Sequence, residues 1–358
     1  MKQRIVSFFL NLLAQWLWKL RNYFSAKQSH YISWGTASPF RSTLYYLLFS
    51  AEFDNIHFRL LNGKSHFLDD PKSLGVYSKT RRNIHRLEKG IAANMLDRRN
   101  SFATDYISET IDDFSALAQN GANPYFLKWG KDVLETYFSI VTQTDSIEAL
   151  YTKFRSIDLS KSDNHSIKSI PYAYGTVRSS KPTFEQLNSL LVNRHSVRWY
   201  NGKRVADDII QKAVSAALTA PSACNRQAFK VYCLQGDKLE DIKRLKLGFE
   251  IFADYIHTFL FIVGDLSAYV EERDKHLIYI DGGLFAMSLM LALETMGVSS
   301  CPINYPDMSW LDNEIERILD LQRYQKGVML ISIGYANEDS PIPFSAKKQV
   351  NEVLTFVK

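Results

Sequence analysis

Cysteine is scarce in this sequence: three residues in 358, at Cys224, Cys233 and Cys301, with no CxxC pair and no His/Cys cluster at metal-ligand spacing. That argues against a disulfide framework and a zinc site, and it suits a reducing cytoplasm, which is the expected location. An excess of one charge is lacking too. The formal net charge of +5 is spread over a long chain with no extended basic run, so no nucleic-acid partner is expected. Internal repeats are absent. What is present, 46% hydrophobic and 23% charged residues, is an ordinary globular composition with enough apolar side chains for two compact domains.

The N-terminal run from Val6 to Trp18 is apolar, but it is short of the roughly 20 residues a spanning helix needs and contains Asn11 and Gln15. No small-x-small cleavage site follows it, which argues against a secretory signal. Two readings stay open: an amphipathic helix docked on the protein's own core, which is the expectation, or peripheral contact of residues 1–24 with the inner membrane, Trp and Lys/Arg lying at the headgroups.

From Thr43 to about Ser156 the pattern is mainly helical. Tyr106, Ile107, Ile111, Phe114, Leu117 and Ala118 recur at three- and four-residue steps, and a second helix begins near Pro124. Between Ile157 and Pro182 the composition turns to Ser, Lys, Asn, Asp and His without periodicity, as in a linker. The expected organisation is therefore a helical domain over 1–156, a linker over 157–184 and a second domain over 185–358. In the second domain Asp207 or Asp208 is positioned to cap a helix that Pro221 stops, and Phe229–Leu234, Phe259–Val263 and Val328–Ile333 read as strands. Leu284–Met296 is apolar on nearly every side, with Gly297 as its stop, so it must be covered all round, by the sheet and by a partner subunit. The order of elements predicts an α+β or α/β sandwich.

The strongest chemical signal is Asn193-Arg194-His195-Ser196-Val197-Arg198, followed after a helix by Ala220-Pro221-Ser222-Ala223-Cys224-Asn225-Arg226-Gln227. Arg194 and Arg198 offer forked donors to a phosphate or a polarised carbonyl, and Ser196 a hydroxyl. Asn225 and Gln227 each carry a carbonyl and an amide that can read the alternating donors and acceptors of a flavin. Pro221 frees the backbone of the following loop to approach a flat ring. Cys224 is read as a small packed thiol and is left out of the chemistry.

RHSVR and APSACNRQ, in that order, resemble the two leading motifs of the nitroreductase family of FMN proteins. Asp281-Gly282-Gly283-Leu284 and Met296 to Ile303 are similar to that family's central helix and following strand, and Gly334-Tyr335 through Lys347-Lys348 to its closing segment. The resemblance covers about half the chain, from Asn193 onward. It implies a three-layer α+β sandwich with a mixed sheet, FMN as cofactor, NAD(P)H as electron donor, a small-molecule acceptor reduced in a separate ping-pong half-reaction, and a homodimer with the flavin at its interface. By the same resemblance Arg194 and Ser196 face the phosphate and ribityl, with His195 between them at a variable position, and Arg198 faces the pyrimidine edge. Pro221, Ser222, Asn225 and Gln227 lie along the ring and ribityl, and Pro302, Ile303 or Asn304 present backbone near the ring. Lys347 or Lys348 reaches the phosphate. Where many members have an acidic residue followed by Gly, this chain has Asn304-Tyr305, a departure that bears on substrate shape. No side chain is expected to act as a catalytic group and no metal is expected, because the flavin carries the redox chemistry.

Arg81 to Gly90, RRNIHRLEKG, reads as a charged, solvated helix stopped by its glycine. It also resembles the extra region of nitroreductase-like proteins found with polysaccharide-biosynthesis enzymes, which implies an anionic sugar or nucleotide near His85, Arg86, Glu88 and Lys89. Two alternatives to a general oxidoreductase follow: a flavin-binding protein of a glycan-assembly complex without turnover, or a flavin-dependent dehydrogenase with one specific substrate.

Overall fold

The computed structural model describes residues 2–24, 31–69, 74–97, 100–163, 166–177 and 182–357. In the first part of the chain the helices are α1 (Lys2–Phe24), α2 (Ile32–Gly35), α3 (Pro39–Phe49), α4 (Asp54–Asp69), α5 (Leu74–Asp97), α6 (Ile107–Gln119), α7 (Pro124–Ile140) and α8 (Asp145–Arg155). Their starts follow local chemistry. Asn123 accepts the Tyr125 N–H ahead of Pro124 at the first turn of α7, and Thr144 accepts the Ile147 N–H at the start of α8. The faces read from the three- and four-residue spacing meet in one core, where Ile84, Ile111, Phe114, Val133, Leu134 and Tyr137 are fully buried. Each such side chain contributes roughly 1.5–3 kcal/mol relative to exposure.

Gly90 does not stop a helix. Helix α5 runs on to Asp97, and the glycine is where Phe102 lies flat against the backbone: an added Cβ would sit 2.3 Å from the ring. The segment around it is not a solvated helix either, since Ile84 and Leu87 are fully buried. The linker-like stretch is tied down in its described part, with Asp163 N–H donating to the Pro124 carbonyl and Ser169 N–H to the Asp132 carboxylate.

The second part contains α9 (Phe184–Asn193), α10 (Asp207–Ala217), β1 (Phe229–Leu234), α11 (Gly236–Lys243), β2 (Phe259–Asp265), α12 (Leu277–Thr295), β3 (Ser299–Asn304), α13 (Ser309–Leu319), β4 (Gln325–Gly334) and α14 (Val350–Val353). Asp207 and Asp208 do not cap α10; Ala206 holds that position, and the two carboxylates lie in the first turn, where they complement the helix dipole. The strands form one sheet in the order β1-β2-β4-β3, every neighbouring pair antiparallel, and the parallel component of the expected mixed sheet is a single bridge, Ser196 to Ser300. Strand β2 is buried at every position because both its faces are covered: Phe259, Phe261 and Val263 pack toward α11 and α13, Leu260 and Ile262 toward α10 and α12. The fold is thus an α+β sandwich of three layers.

Helix α4 joins the two parts. Gly63 lets it approach the backbone of Leu266, where a Cβ would meet the carbonyl carbon at 2.9 Å. Nearby, Arg59 is 1% exposed and pairs with Asp312 and Glu316, and Lys326 and the Tyr305 hydroxyl also converge on Asp312. Removing one member of such a buried network costs about 3–5 kcal/mol, because its partners stay charged and unpaired. The network fastens the helical part to β4 and α13.

Candidate functional site

Helix α9 ends at Asn193, where the chain turns extended and runs beside β3. Val197 N–H donates to the Ser300 carbonyl at 3.1 Å, and Arg198 Nη1 to the Ser196 carbonyl at 3.2 Å. His195 Nδ1 donates to the Asn193 carbonyl, a local turn contact. This path brings Arg194, His195, Ser196 and Arg198 to one cavity of about 410 Å³, which Lys347 closes from the C-terminal segment. Arg194, Arg198 and Lys347 make no ion pair among the described residues, and no carboxylate lines this cavity. Burial pushes the Cys301 thiol up, while Arg198, Ser196 and Arg194 beside it act the other way. Burial also raises Glu294, against the pull of Arg194 and His195. The arrangement can hold a phosphate by forked and point-charge contacts.

The second motif lies elsewhere. Cys224, Asn225 and Gln227 all have left-handed backbones, with φ of 52°, 53° and 51°, a conformation that costs on the order of 1–3 kcal/mol at each non-glycine residue. Three contacts hold the loop in place. Both Asp281 oxygens accept the Ala223 N–H, at 3.0 and 3.1 Å; Ser222 Oγ accepts the Gln227 N–H at 3.1 Å; and Arg81 Nε donates to the Asn225 carbonyl at 2.9 Å. Gln227 Nε2 donates to Asn225 Oδ1, and the Gln227 side-chain carbonyl and the Asn225 amide nitrogen have no hydrogen-bond partner among the described residues. Asn225 and Gln227 line a cavity of about 610 Å³ whose far wall is α5 and α7. Pro221 is exposed and Ser222 half-buried at the entrance to the loop.

Helix α12 measures the separation of the two sets. The loop is anchored at Asp281, and a second cavity, which shares His195 and Arg198 with the cationic one, borders Glu294, thirteen residues along the same helix, which is about 20 Å at 1.5 Å per residue. The remaining expected positions join neither set: Ile303 packs in the core beside α13, Pro302 is half-buried on β3, and Asn304 and Lys348 are exposed. Sequence reasoning missed Arg81 and Trp129, both in the wall of the larger cavity. The charged cluster that includes Arg81 was visible, but its contact with Asn225 spans 144 residues and leaves no local signal.

In RRNIHRLEKG, His85 Nδ1 lies 3.1 Å from Glu88 Oε2, and Glu88 Oε1 accepts the Trp129 indole N–H at 2.9 Å. Arg86 stacks on Tyr106 with its guanidinium carbon 3.7 Å from the ring centre. Lys89 is exposed. These side chains position α5 and Trp129.

The similarities to known proteins fall in the second part of the chain. Residues 191–249 and 243–335 match the Nitroreductase family. An NADPH-dependent oxidoreductase of Staphylococcus aureus is 24% identical over 172 residues, 43% of this chain, and the match spans 66% of that protein's length. A CLA biosynthesis enone reductase of Lactiplantibacillus plantarum is 32% identical over 104 residues, 27% of this chain and 47% of that one. Among solved structures, an FMN-dependent nitroreductase from Clostridium difficile overlaps 47% of this chain and 98% of its own at 20% identity, with a TM-score of 0.41. The match to the Nitroreductase family lies in one continuous stretch, residues 191–335.

Proposed function

We propose that this protein is an FMN-dependent oxidoreductase that draws electrons from NAD(P)H and passes them to a small-molecule acceptor in a second half-reaction. The observation that carries the reading is the cluster of three unpaired cations around one cavity, in a family-matched domain whose second motif presents a strained, amide-bearing loop. FMN, when bound, supplies the redox centre. Arg194, Ser196 and Lys347 would hold its phosphate and ribityl, Arg198 would place positive charge near the ring, and Asn225 and Gln227 would read its polar edge. In one chain these two sets stand about 20 Å apart along α12, so the reading requires a second copy. Ile280, Leu284 and Met287 form an apolar stripe on α12, 49%, 42% and 38% exposed. Two copies packed antiparallel across that stripe would set the cationic end of one helix beside the loop end of the other, the self-complementary contact of a twofold dimer.

The test is an absorbance spectrum of the purified protein, followed by anaerobic addition of NADPH and then NADH. A yellow protein that releases FMN and bleaches with either nucleotide supports the reading. A colourless protein that takes up no FMN overturns it, and flavin that neither nucleotide reduces would favour a flavin-binding protein without turnover.

The exposure of α1 adds a location. Val6, Phe9, Leu10, Trp16 and Trp18 are all more than half exposed, while the end of the helix is held to the protein through Arg21, which donates to the Leu47 carbonyl and pairs with Asp54. It carries Lys2, Arg4, Lys19 and Arg21 and no acidic residue. That composition fits a helix lying in an anionic bilayer surface, which would place the protein peripherally on the cytoplasmic face of the inner membrane. The protein should sediment with phosphatidylglycerol vesicles, and the double substitution Trp16→Asp, Trp18→Asp should lower the bound fraction at least several-fold. Equal binding by both proteins would remove α1 from the contact. The similarity of RRNIHRLEKG to polysaccharide-cluster proteins supports glycan assembly as the setting.

A further inference from the structure

The larger cavity lies between the two parts of the chain, and its lining is chemically lopsided. Tyr77 and Arg81 come from α5, Phe126 and Trp129 from α7, and Asn225 and Gln227 from the strained loop of the family-matched stretch. Arg81 is the one charged residue among those that line it. Its guanidinium carbon lies 5.2 Å from the Trp129 ring centre and 5.8 Å from that of Tyr77, and its Nε is committed to the Asn225 carbonyl. Among the described residues no carboxylate pairs with it and its terminal nitrogens have no hydrogen-bond partner. A cation set near two aromatic rings, with its Nε committed and its terminal nitrogens open, is ready to take a carboxylate or phosphate by a forked contact.

The aromatic surfaces say what should be attached to that anion. Phe126 and Trp129 meet at a ring separation of 6.2 Å, Tyr77 packs 4.6 Å from Phe126, and Tyr125 stands at the rim with 69% of its surface exposed. At about 610 Å³ the cavity is in the size range of small-molecule sites, and flat apolar walls of this kind favour a planar ring over a flexible chain. Trp129 is not free to swing away, because Glu88 accepts its indole N–H and Glu88 is itself in contact with His85. The charged segment of α5 therefore supplies Arg81 to the cavity wall and, through Glu88, holds Trp129 in it.

We propose that this cavity is the acceptor site, and that its substrate class is a small planar, conjugated ring bearing an anionic group, with Arg81 as the anion-binding and specificity-determining residue. The proposal rests on the oxidoreductase reading above for the word acceptor, and on the cavity alone for the ligand class. The helical part of the chain thereby selects what reaches the flavin-facing loop.

The probes are 4-nitrobenzoate and its neutral isostere 4-nitrobenzamide, titrated into the full-length protein by quenching of tryptophan fluorescence, with no nucleotide present so that nothing turns over. Trp129→Phe identifies the reporting residue. The wild-type protein should bind the carboxylate at least about ten-fold more tightly than the amide. Arg81→Gln should erase that preference while leaving the amide affinity within about two-fold, and Arg81→Lys, which keeps the charge and loses the fork, should fall between. A purely structural role for Arg81 would weaken both ligands together. Equal affinities in the wild type, or an unchanged preference in Arg81→Gln, would overturn the proposal. Failure of the oxidoreductase reading would show separately, as protein that holds no FMN or is not reduced, with this binding preference intact.

Discussion

The two halves of the candidate site are built on opposite plans. The loop from Ser222 to Gln227 is prefabricated: its left-handed residues are held by Asp281 from α12, by Ser222 within the loop and by Arg81 from the helical part. The stretch from Arg194 to Arg198 has its backbone pinned to β3, but its cationic side chains face a cavity with no protein counter-charge. One half spends its contacts internally and keeps a fixed shape; the other leaves its charges for something not in the chain. A rigid reading edge and an unneutralised anchor, separated along one helix, are what a site shared between two copies requires.

The largest expected effect comes from breaking that sharing without touching either half. Leu284 lies on the exposed stripe of α12, one turn beyond Asp281. Leu284→Glu should leave the fold of a single chain intact, convert the protein to a monomer by light scattering, and abolish FMN retention in the same sample. A variant that stays dimeric and yellow would remove this stripe from the interface.

How much of this was legible in the sequence follows from how local each cause is. β1 could be read to the residue because Gln227 and Gln235 bound a short run of apolar and β-favouring side chains. The length of β2 was underestimated, since Gly264 and Asp265 look like a stop, yet Gly264 continues the strand because Ile278 leaves no room for a side chain there. Gly90 was misread for the same reason, its partner Phe102 being supplied by the segment after α5. The motif residues of the candidate site were found because each motif is contiguous. Their separation was not, because it is set by α12, which begins at Leu277, seven residues before the apolar stretch that announced it. The wall formed by Arg81 and Trp129 is wholly a product of tertiary contact.

A smaller effect sharpens the contrast on the cationic side. Arg194→Ala removes a guanidinium whose side chain makes no hydrogen bond or ion pair among the described residues, so the melting temperature should hardly change. A lost charge-assisted contact of about 1.5–3 kcal/mol corresponds to roughly ten- to hundred-fold weaker FMN binding, read by fluorescence titration of the stripped protein. Unchanged affinity would take Arg194 out of the phosphate site. The corresponding change on the loop side, at Asp281, should show the opposite pattern, with stability moving and cofactor affinity holding.

The smallest effect is a pH dependence at Asp281. Burial pushes its carboxyl above the ordinary range, with the Ala223 N–H and Arg226 opposing. In the unfolded chain the group titrates near its usual value of about 4. Between that value and the raised one, the folded protein keeps a proton that the unfolded chain has released. The contribution of Asp281 to stability is therefore greatest below the window and declines as pH rises through it. Asp281→Asn retains an acceptor for the Ala223 N–H and has no charge to desolvate. Melting temperatures of wild type and variant, compared at steps from pH 4 to pH 7, should move in the variant's favour as pH rises, with FMN affinity alike in the two. A difference that stays constant with pH would mean that the loop is held by the shape of the Asp281 side chain alone, its charge state being without consequence.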